Sequence, residues 1–397
     1  MNTIAPDLVG FSPERLKRVD EVMRRYVDEG KISGIINLVA RRGQVVHFAK
    51  SGWMDVEAQK EMSFDALFRI YSMTKTVTSA AVMILYEQGH FLLTDPVSKY
   101  IPDFEDVKVF VRETERGVEL ADPERPVTIY DLLVLTAGLS YGDEEDNYVD
   151  QQYQKHVWTP YRNKQEITLE ELVRGIARCP LRFQPGSDWY YGVDYEVLGY
   201  LVQVVSGQPF EVFLQEQVFE PLGMADTAFD VPPSKLDRFA INYRPKEGGG
   251  IEIAPELDTC RVGGPTRCPQ GGGGLITTIG DWYRFCQMLF NKGELDGERL
   301  LGRKTVELMT ANHWRDGMYD GTPARGFGLG VGVRLDVERD RRLGSVGTYG
   351  WGGFATTRFR IDPQEALVHI QMAQLSYNRV VPILDEIEVA IYQAILD

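Results

Sequence analysis

Cysteine and histidine are scarce in this chain of 397 residues, with four of the first and five of the second. The cysteines (Cys179, Cys260, Cys268, Cys286) form no Cys-x-x-Cys pair and no dense framework. That excludes a disulfide scaffold and leaves them as small buried or half-buried thiols. The histidines are scattered and build no His-Glu-x-x-His, so neither a metal nor a cofactor is expected. Long hydrophobic runs are absent too, and none approaches the length of a membrane span. Met1 to Phe11 has no basic stretch followed by an apolar one, so no signal peptide is expected and the default compartment is the cytoplasm. Basic charge is in deficit, 43 Lys and Arg against 58 Asp and Glu, for a net charge of −15. Such a field repels phosphate backbones and anionic bilayers, which argues against nucleic-acid and membrane partners. The densest basic clusters, Arg41-Arg42 and Arg339-Asp340-Arg341-Arg342, read as solvated turns.

What remains is an ordinary globular composition, 43% hydrophobic and 25% charged. Pro13 to Glu29 carries Leu16, Val19, Val22, Met23 and Tyr26 at helical spacing. Ile35 to Ala40 and Val45 to Ala49 are β-rich runs around Arg41-Arg42-Gly43-Gln44, a hairpin pattern. Phe68 to Tyr71 reads as a strand leading into Ser72, and Thr76 to Gln88 as an apolar helix stopped by Gly89. From about Thr94 to Gly274, helical patterns (Ile129 to Leu135, Leu169 to Ala177, Tyr195 to Val205, Phe210 to Val218) alternate with Pro-, Gly- and Asp-rich loops. Strand patterns return at Gly330 to Val337, Thr356 to Ile361 and Leu367 to Ala373, and Val380 to Leu396 closes the chain as a striped helix. The expected fold is α+β: one antiparallel sheet built from both termini and flanked by helices, with a mostly helical insertion. Residues 1–93 and 275–397 would form the α/β domain and 94–274 the insertion. Gly271 to Gly274 lacks the Lys-Ser/Thr of a phosphate loop and reads as a turn with close backbone approach.

Two serines compete as nucleophile. Gly138-Leu139-Ser140-Tyr141-Gly142 matches the Gly-x-Ser-x-Gly elbow, which needs a strand before the serine and a helix after it. Here a helical pattern precedes it and the acidic run Asp143 to Asn147 follows, so the match is taken as accidental. Ser72-Met73-Thr74-Lys75 is a pattern that occurs roughly once by chance in a chain this long at average residue usage, but its context is better. It stands where a strand gives way to an apolar helix. Residues i and i+3 share a helix face, so the Lys75 amine can reach the Ser72 hydroxyl. A desolvated, neutral lysine is a competent base for a serine, and the helix start favours a developing oxyanion. The bland alternative is a helix start with Lys75 in solvent.

Phe68-Arg69-Ile70-Tyr71-Ser72-Met73-Thr74-Lys75 and Leu93-Thr94-Asp95-Pro96-Val97 resemble the serine β-lactamase-related superfamily. That group includes class C β-lactamases, D-alanyl carboxypeptidases and family VIII carboxylesterases. The likeness continues through Thr128 to Leu133 and Gly138-Leu139, then Pro185-Gly186-Ser187-Asp188-Trp189-Tyr190-Tyr191 with Leu198-Gly199 and Pro221-Leu222-Gly223-Met224. Gly271 to Leu275 and Tyr349-Gly350-Trp351-Gly352-Gly353 complete it, in the family's order over nearly the whole chain. The resemblance implies a site between the two parts of the chain. It also implies a Tyr-x-Asn motif, matched here by Tyr191-Gly192-Val193, whose tyrosine would share proton transfer with Lys75. Tyr190 is the neighbouring alternative, and one aromatic among 19 tyrosines the bland one. Two departures stand out: Val193 replaces the asparagine, and Trp351-Gly352-Gly353 replaces the Lys-Thr-Gly of β-lactamases. Trp-Gly-Gly there resembles family VIII esterases, with the backbone N–H groups of Ser72 and Phe354 as an oxyanion hole.

The reading that results is a carboxylesterase with Ser72 as nucleophile and Lys75 and Tyr191 as acid–base pair, taking a small-molecule ester as its partner. Trp351, Gly352, Gly353, Tyr141 and Trp189 would line the substrate. The insertion aromatics (Tyr141, Tyr148, Tyr153, Trp158, Tyr161) and Trp189-Tyr190 fit either insertion core or an apolar acyl-binding wall, and both remain open. The rivals within the same chemistry are a β-lactamase or peptidase, an amide hydrolase and an acyltransferase. A catalytically silent ligand-binding member is the rival outside it.

Overall fold

The computed structural model describes residues 1–144, 147–163, 167–254, 268–314, 323–378 and 381–397. Its centre is an eight-stranded antiparallel sheet drawn from both ends of the chain. The first three strands are β1 (Gly34–Arg41), β2 (Gln44–Asp55) and β3 (Lys60–Glu61). The other five are β4 (Arg325–Phe327), β5 (Gly332–Arg334), β6 (Tyr349–Gly353), β7 (Thr357–Asp362) and β8 (Leu367–Ala373). The spatial order is β4-β5-β6-β7-β8-β1-β2-β3, so two meanders meet where β8 pairs with β1, Ile35 opposite Ala373.

β1 is buried along its whole length, which is why it reads as an almost unbroken apolar run. Successive side chains of a strand point to opposite faces. Ile35 and Val39 therefore meet α1 (Arg18–Asp28) and α5 (Ile383–Tyr392) through Val19, Met23, Ile387 and Ile391. Ile36 and Leu38 face the larger core, where α4 (Ile279–Phe290) lays Trp282 against Phe359 with ring centroids 5.4 Å apart. Within that core α2 (Thr74–Glu87) is enclosed from Thr74 to Leu85 and packs on α3 (Asp194–Ser206).

Both expected hairpins of the sheet form, and the Gly89 stop stands at φ 79°, in the left-handed region that suits glycine. Several expectations need correction. The helix at Pro13 to Glu29 breaks at Lys17 into Pro13–Leu16 and α1. Strand structure within Gly330 to Val337 is confined to β5, because Asp336 caps a short helix at Val337–Asp340 with its side chain. The closing helix is shorter than Val380 to Leu396, starting only after Pro382; Val380 lies outside the described residues. The middle of the chain also holds two unexpected hairpins, Val109–Thr114 with Gly117–Ala121 and Tyr243–Pro245 with Ile251–Ile253. Arg41 is no solvated turn residue: it is buried, ends β1, and bonds Asp397, Glu365 and the Val9 carbonyl. Cys179, Cys268 and Cys286 are buried free thiols, and Cys260 lies outside the described residues. Among the described residues, no single helix is long and apolar enough to cross a membrane.

Candidate active site

Phe68–Arg69 pairs with Ile276–Thr277, and the chain then tightens into a 3₁₀ turn over Tyr71–Met73 that runs directly into α2. Tyr71 is held at φ 43°, a left-handed conformation that costs a non-glycine residue about 1–3 kcal/mol. Its surroundings hold it there: the hydroxyl accepts from Asn242 Nδ2 at 2.9 Å, and the ring meets Phe354 edge-on at 5.7 Å. The turn delivers Ser72 half-buried at the mouth of a cavity of about 620 Å³, with Lys75 one turn further into the core.

Lys75 is 0% exposed. Its Nζ donates to the Gly272 carbonyl at 2.7 Å and to Tyr141 Oη at 2.9 Å, and it reaches Ser72 Oγ at 3.4 Å. Three rings surround it, with centroids 4.8 Å (Tyr191), 5.6 Å (Tyr141) and 5.7 Å (Tyr195) away. The rings shield Lys75 Nζ from water and leave an apolar, electron-rich box around the amine. The solvated-lysine alternative is excluded. The Gly271 to Gly274 segment is the close-approach turn that the sequence suggests. A Cβ on Gly272 would stand 2.5 Å from Glu196 Oε1 and 3.4 Å from Lys75 Nζ, so only glycine lets its carbonyl come this near.

Two acids join the site without any motif to announce them. Glu196 is 3% exposed and accepts from the Gly272 N–H through Oε2 at 3.2 Å. Burial pushes its carboxyl up to about 7, against the pull of the Lys75 charge. Asp194, also buried, is raised well above the usual carboxylate range by desolvation. Both lie in the first turn of α3, directly after the Tyr191 segment, and that spacing was the only available signal.

Tyr191 lies in the site and Tyr190 does not. The Tyr191 hydroxyl accepts from Trp351 Nε1 at 3.4 Å, and its ring stands 5.6 Å from Tyr141 and 6.3 Å from Trp189. Tyr190 instead lies under the Arg182 guanidinium at 4.1 Å and bonds Glu144. Val193, in the asparagine's place, is a core residue at the start of α3. Trp351, Tyr191, Trp189 and Phe327 form a continuous aromatic wall, with Phe327 to Trp351 at 5.2 Å and Phe327 to Trp189 at 5.7 Å. Phe327 went unmarked in the sequence. The remaining insertion aromatics divide: Tyr153 is fully buried core, while Trp158 donates to the Tyr141 carbonyl and so props the wall from behind.

Gly352 and Gly353 end β6 at its approach to the nucleophile. A Cβ on Gly353 would lie 2.2 Å from the Ile70 carbonyl, so the glycine lets the strand close onto the segment before Ser72. Phe354 follows immediately, lining the cavity with Ser72, Tyr191, Trp351 and Gly352. Ser140 is elsewhere. It is buried, donates to Asp150 Oδ1 at 2.6 Å and accepts from the Gly142 N–H at 3.0 Å, and a helix (Ile129–Val134) precedes it where an elbow needs a strand.

A model of the β-lactamase family matches residues 19–392. The chain belongs to the β-lactamase family. Among relatives, Protein Rv1367c of Mycobacterium tuberculosis (strain ATCC 25618 / H37Rv) is 33% identical over 364 residues, covering 89% of this chain and 88% of that protein. Esterase EstB of Burkholderia gladioli is 29% identical over 381 residues, 91% of each chain. Among solved structures, EstCE1, a hydrolase with promiscuous acyltransferase activity, superposes with a TM-score of 0.79 at 26% identity, covering 96% of this chain and 99% of its own. This member of the β-lactamase family is thus a β-lactamase-fold serine hydrolase with an aromatic third motif.

Proposed function

We propose that the protein is a carboxylesterase that cleaves short-chain esters of small molecules through an acyl-enzyme on Ser72, acting in the cytoplasm. One observation carries the reading: Lys75 is buried with its Nζ directed at Ser72 Oγ, inside an aromatic box that includes Tyr191. In the acylation step Ser72 Oγ attacks the ester carbonyl while Lys75 and Tyr191 take its proton. The backbone N–H groups of Ser72 and Phe354 stabilise the oxyanion, and the proton passes to the departing alcohol. Water then repeats the sequence on the acyl-enzyme and releases the acid. The aromatic wall accepts the apolar part of the substrate, at the join between the sheet part (1–93 and 275–397) and the insertion (94–274). An alcohol in place of water would give acyl transfer, the activity carried by EstCE1.

Trp351 supports an ester over a β-lactam. A cation there would offer a substrate carboxylate a charge-assisted hydrogen bond, and an indole cannot. Neutral esters never use that contact. We expect kcat/KM for p-nitrophenyl acetate and butyrate to exceed that for nitrocefin by orders of magnitude, with Ser72→Ala abolishing all three activities. A nitrocefin value equal to the ester values would replace esterase with β-lactamase.

A further inference from the structure

The cavity that opens at Ser72 does not end at Trp351. Its lining continues past the edge of β6 to six arginines, Arg325, Arg334, Arg339, Arg342, Arg358 and Arg360. Beyond Gly350 the edge is open, because β5 pairs with β6 at Gly350 and Tyr349 and continues toward Thr348, not toward Gly353. On β7, Arg358 and Arg360 stand opposite Gly352 and Gly350, whereas Phe359 between them points into the Trp282 core. Directly opposed residues share a face of the sheet, and two glycines place no side chain over these guanidiniums. Of the run at 339–342 that reads as a solvated turn, Arg339, Asp340 and Arg342 also line this cavity, whereas Arg341 is exposed outside it.

The acids present do not balance this wall. Asp340 takes Arg325 and Arg334, Glu388 takes Arg334 and Arg358, Asp385 takes Arg342 and Arg358, and Asp336 takes Arg339. Among the described residues that leaves four carboxylates for six guanidiniums. Asp362, next along the same face of β7, is occupied by Tyr392 and the Ser345 N–H. His369, opposite Arg360 on β8, adds no cation at neutral pH, since burial pushes it down to about 4. Arg360 is the member with no carboxylate in direct contact among the described residues, and Glu388, already paired with Arg334 and Arg358, is the acid whose charge it feels. Its Nη1 donates only to the Phe359 carbonyl at 3.2 Å, and burial with the neighbouring Arg358 charge pushes it down to about 9, where it is still cationic. A guanidinium in a cavity, crowded by other guanidiniums and sharing a distant acid with two of them, is an incomplete anion site.

We propose that the ester this enzyme cleaves carries a carboxylate at its far end, which pairs with Arg360 across the open edge of β6 while the ester carbonyl lies at Ser72. The proposal rests on the esterase reading and narrows it. It is compatible with poor β-lactam turnover, because a β-lactam carboxylate is fixed close to the scissile bond, on the side that Trp351 occupies. Trp351 opposes Phe359, so Arg360 lies on the other face of β6, and a spacer reaches it only by passing round the free edge of that strand. Adipate and suberate half-esters offer two spacer lengths for that path.

The test compares p-nitrophenyl hydrogen adipate and suberate with p-nitrophenyl hexanoate and octanoate at low ionic strength. Wild-type protein should favour the anionic member of each pair at least tenfold in kcat/KM, and added salt should erode the preference. Arg360→Gln should lower the ratio at least tenfold, and Arg360→Lys should restore part of it. Arg342→Gln, a second change on the same wall, should also lower it, and circular dichroism checks that each variant folds. Calorimetric titration with free adipate dianion gives a readout without turnover, with binding to wild type and at least tenfold weaker binding to Arg360→Gln. A ratio at or below one, with hexanoate still cleaved in a Ser72-dependent way, would overturn the anion subsite and leave the esterase standing. Loss of all Ser72-dependent ester cleavage would overturn the esterase reading, and the titration would then decide the anion site alone.

Discussion

Removing one hydroxyl from each of two tyrosines separates the roles of the groups around Lys75. Tyr141 Oη holds Lys75 Nζ at 2.9 Å, one of three oxygens around the amine, with the Gly272 carbonyl and Ser72 Oγ. Once Lys75 has taken the serine proton, a hydrogen bond to its charged form is worth about 1.5–3 kcal/mol, so Tyr141→Phe should cost roughly 10- to 100-fold in kcat/KM. Tyr191 meets Lys75 with its ring, at 4.8 Å, and its hydroxyl lies at the cavity beside Trp351. As the acid–base partner its loss should cost about 10²–10⁴-fold. Tyr190→Phe, under Arg182 and away from the site, should stay within about twofold. The assay is p-nitrophenyl butyrate hydrolysis, with a pre-steady-state burst to isolate acylation and a thermal melt to confirm folding. If Tyr141→Phe falls as far as Ser72→Ala while Tyr191→Phe keeps more than a tenth of the activity, the proton relay belongs to Tyr141. If Tyr190→Phe is the worst of the three, the motif alignment is off by one.

Ser140→Ala should keep most turnover yet lower Tm, because buried Asp150 loses a 2.6 Å bond and retains Arg182 and the Glu144 N–H. A leaving-group phosphonate should label Ser72 on peptide mapping, and a label on Ser140 would reverse the assignment. Glu196→Gln should change how stability depends on pH. The native carboxyl holds its proton up to about 7 while the unfolded chain releases it near 4.5, so wild type loses stability as pH rises through that window. The loss is bounded at about 3.4 kcal/mol, from the shift of 4.5 to about 7 at about 1.4 kcal/mol per pH unit. Urea unfolding at pH 5 and pH 8 should show a flatter dependence for the glutamine variant, and equal slopes would refute the account.

The sheet was legible because its hairpins carry a strand-length apolar pattern on each side of a turn, and both faces of β1 are covered, which makes its apolar run continuous. The hairpin at 109–121 was not, since it is exposed along most of both strands and has no buried face to impose a period-two pattern. Ser72 and Lys75 could be paired because one helical turn separates them. Their partners could not: Gly272 lies 197 residues from Lys75 and Tyr141 lies 66, and only tertiary packing brings them together. The arginine wall was misread for the same reason. Locally Arg339 to Arg342 alternates with an acid, as surface turns do, but the carboxylates that organise the wall include Asp385 and Glu388 on α5, more than forty residues on.

Trp351 changes more than one charge. A lysine there would set a second amine beside Tyr191, whose ring already faces Lys75, and two nearby ammonium groups disfavour each other's charge. The indole instead completes the aromatic wall and gives its N–H to Tyr191, leaving Lys75 as the one amine within the aromatic box among the described residues. Its electrostatic partners are then the buried acids of α3. Glu196, tied to the same Gly272 peptide that accepts from Lys75, changes its own charge near neutrality. A proton travelling from Ser72 into this box therefore enters a neighbourhood whose charge is set by pH in the working range. Positive charge for substrate recognition is displaced to the far side of the β6 edge, where it does not compete with the lysine that performs the chemistry.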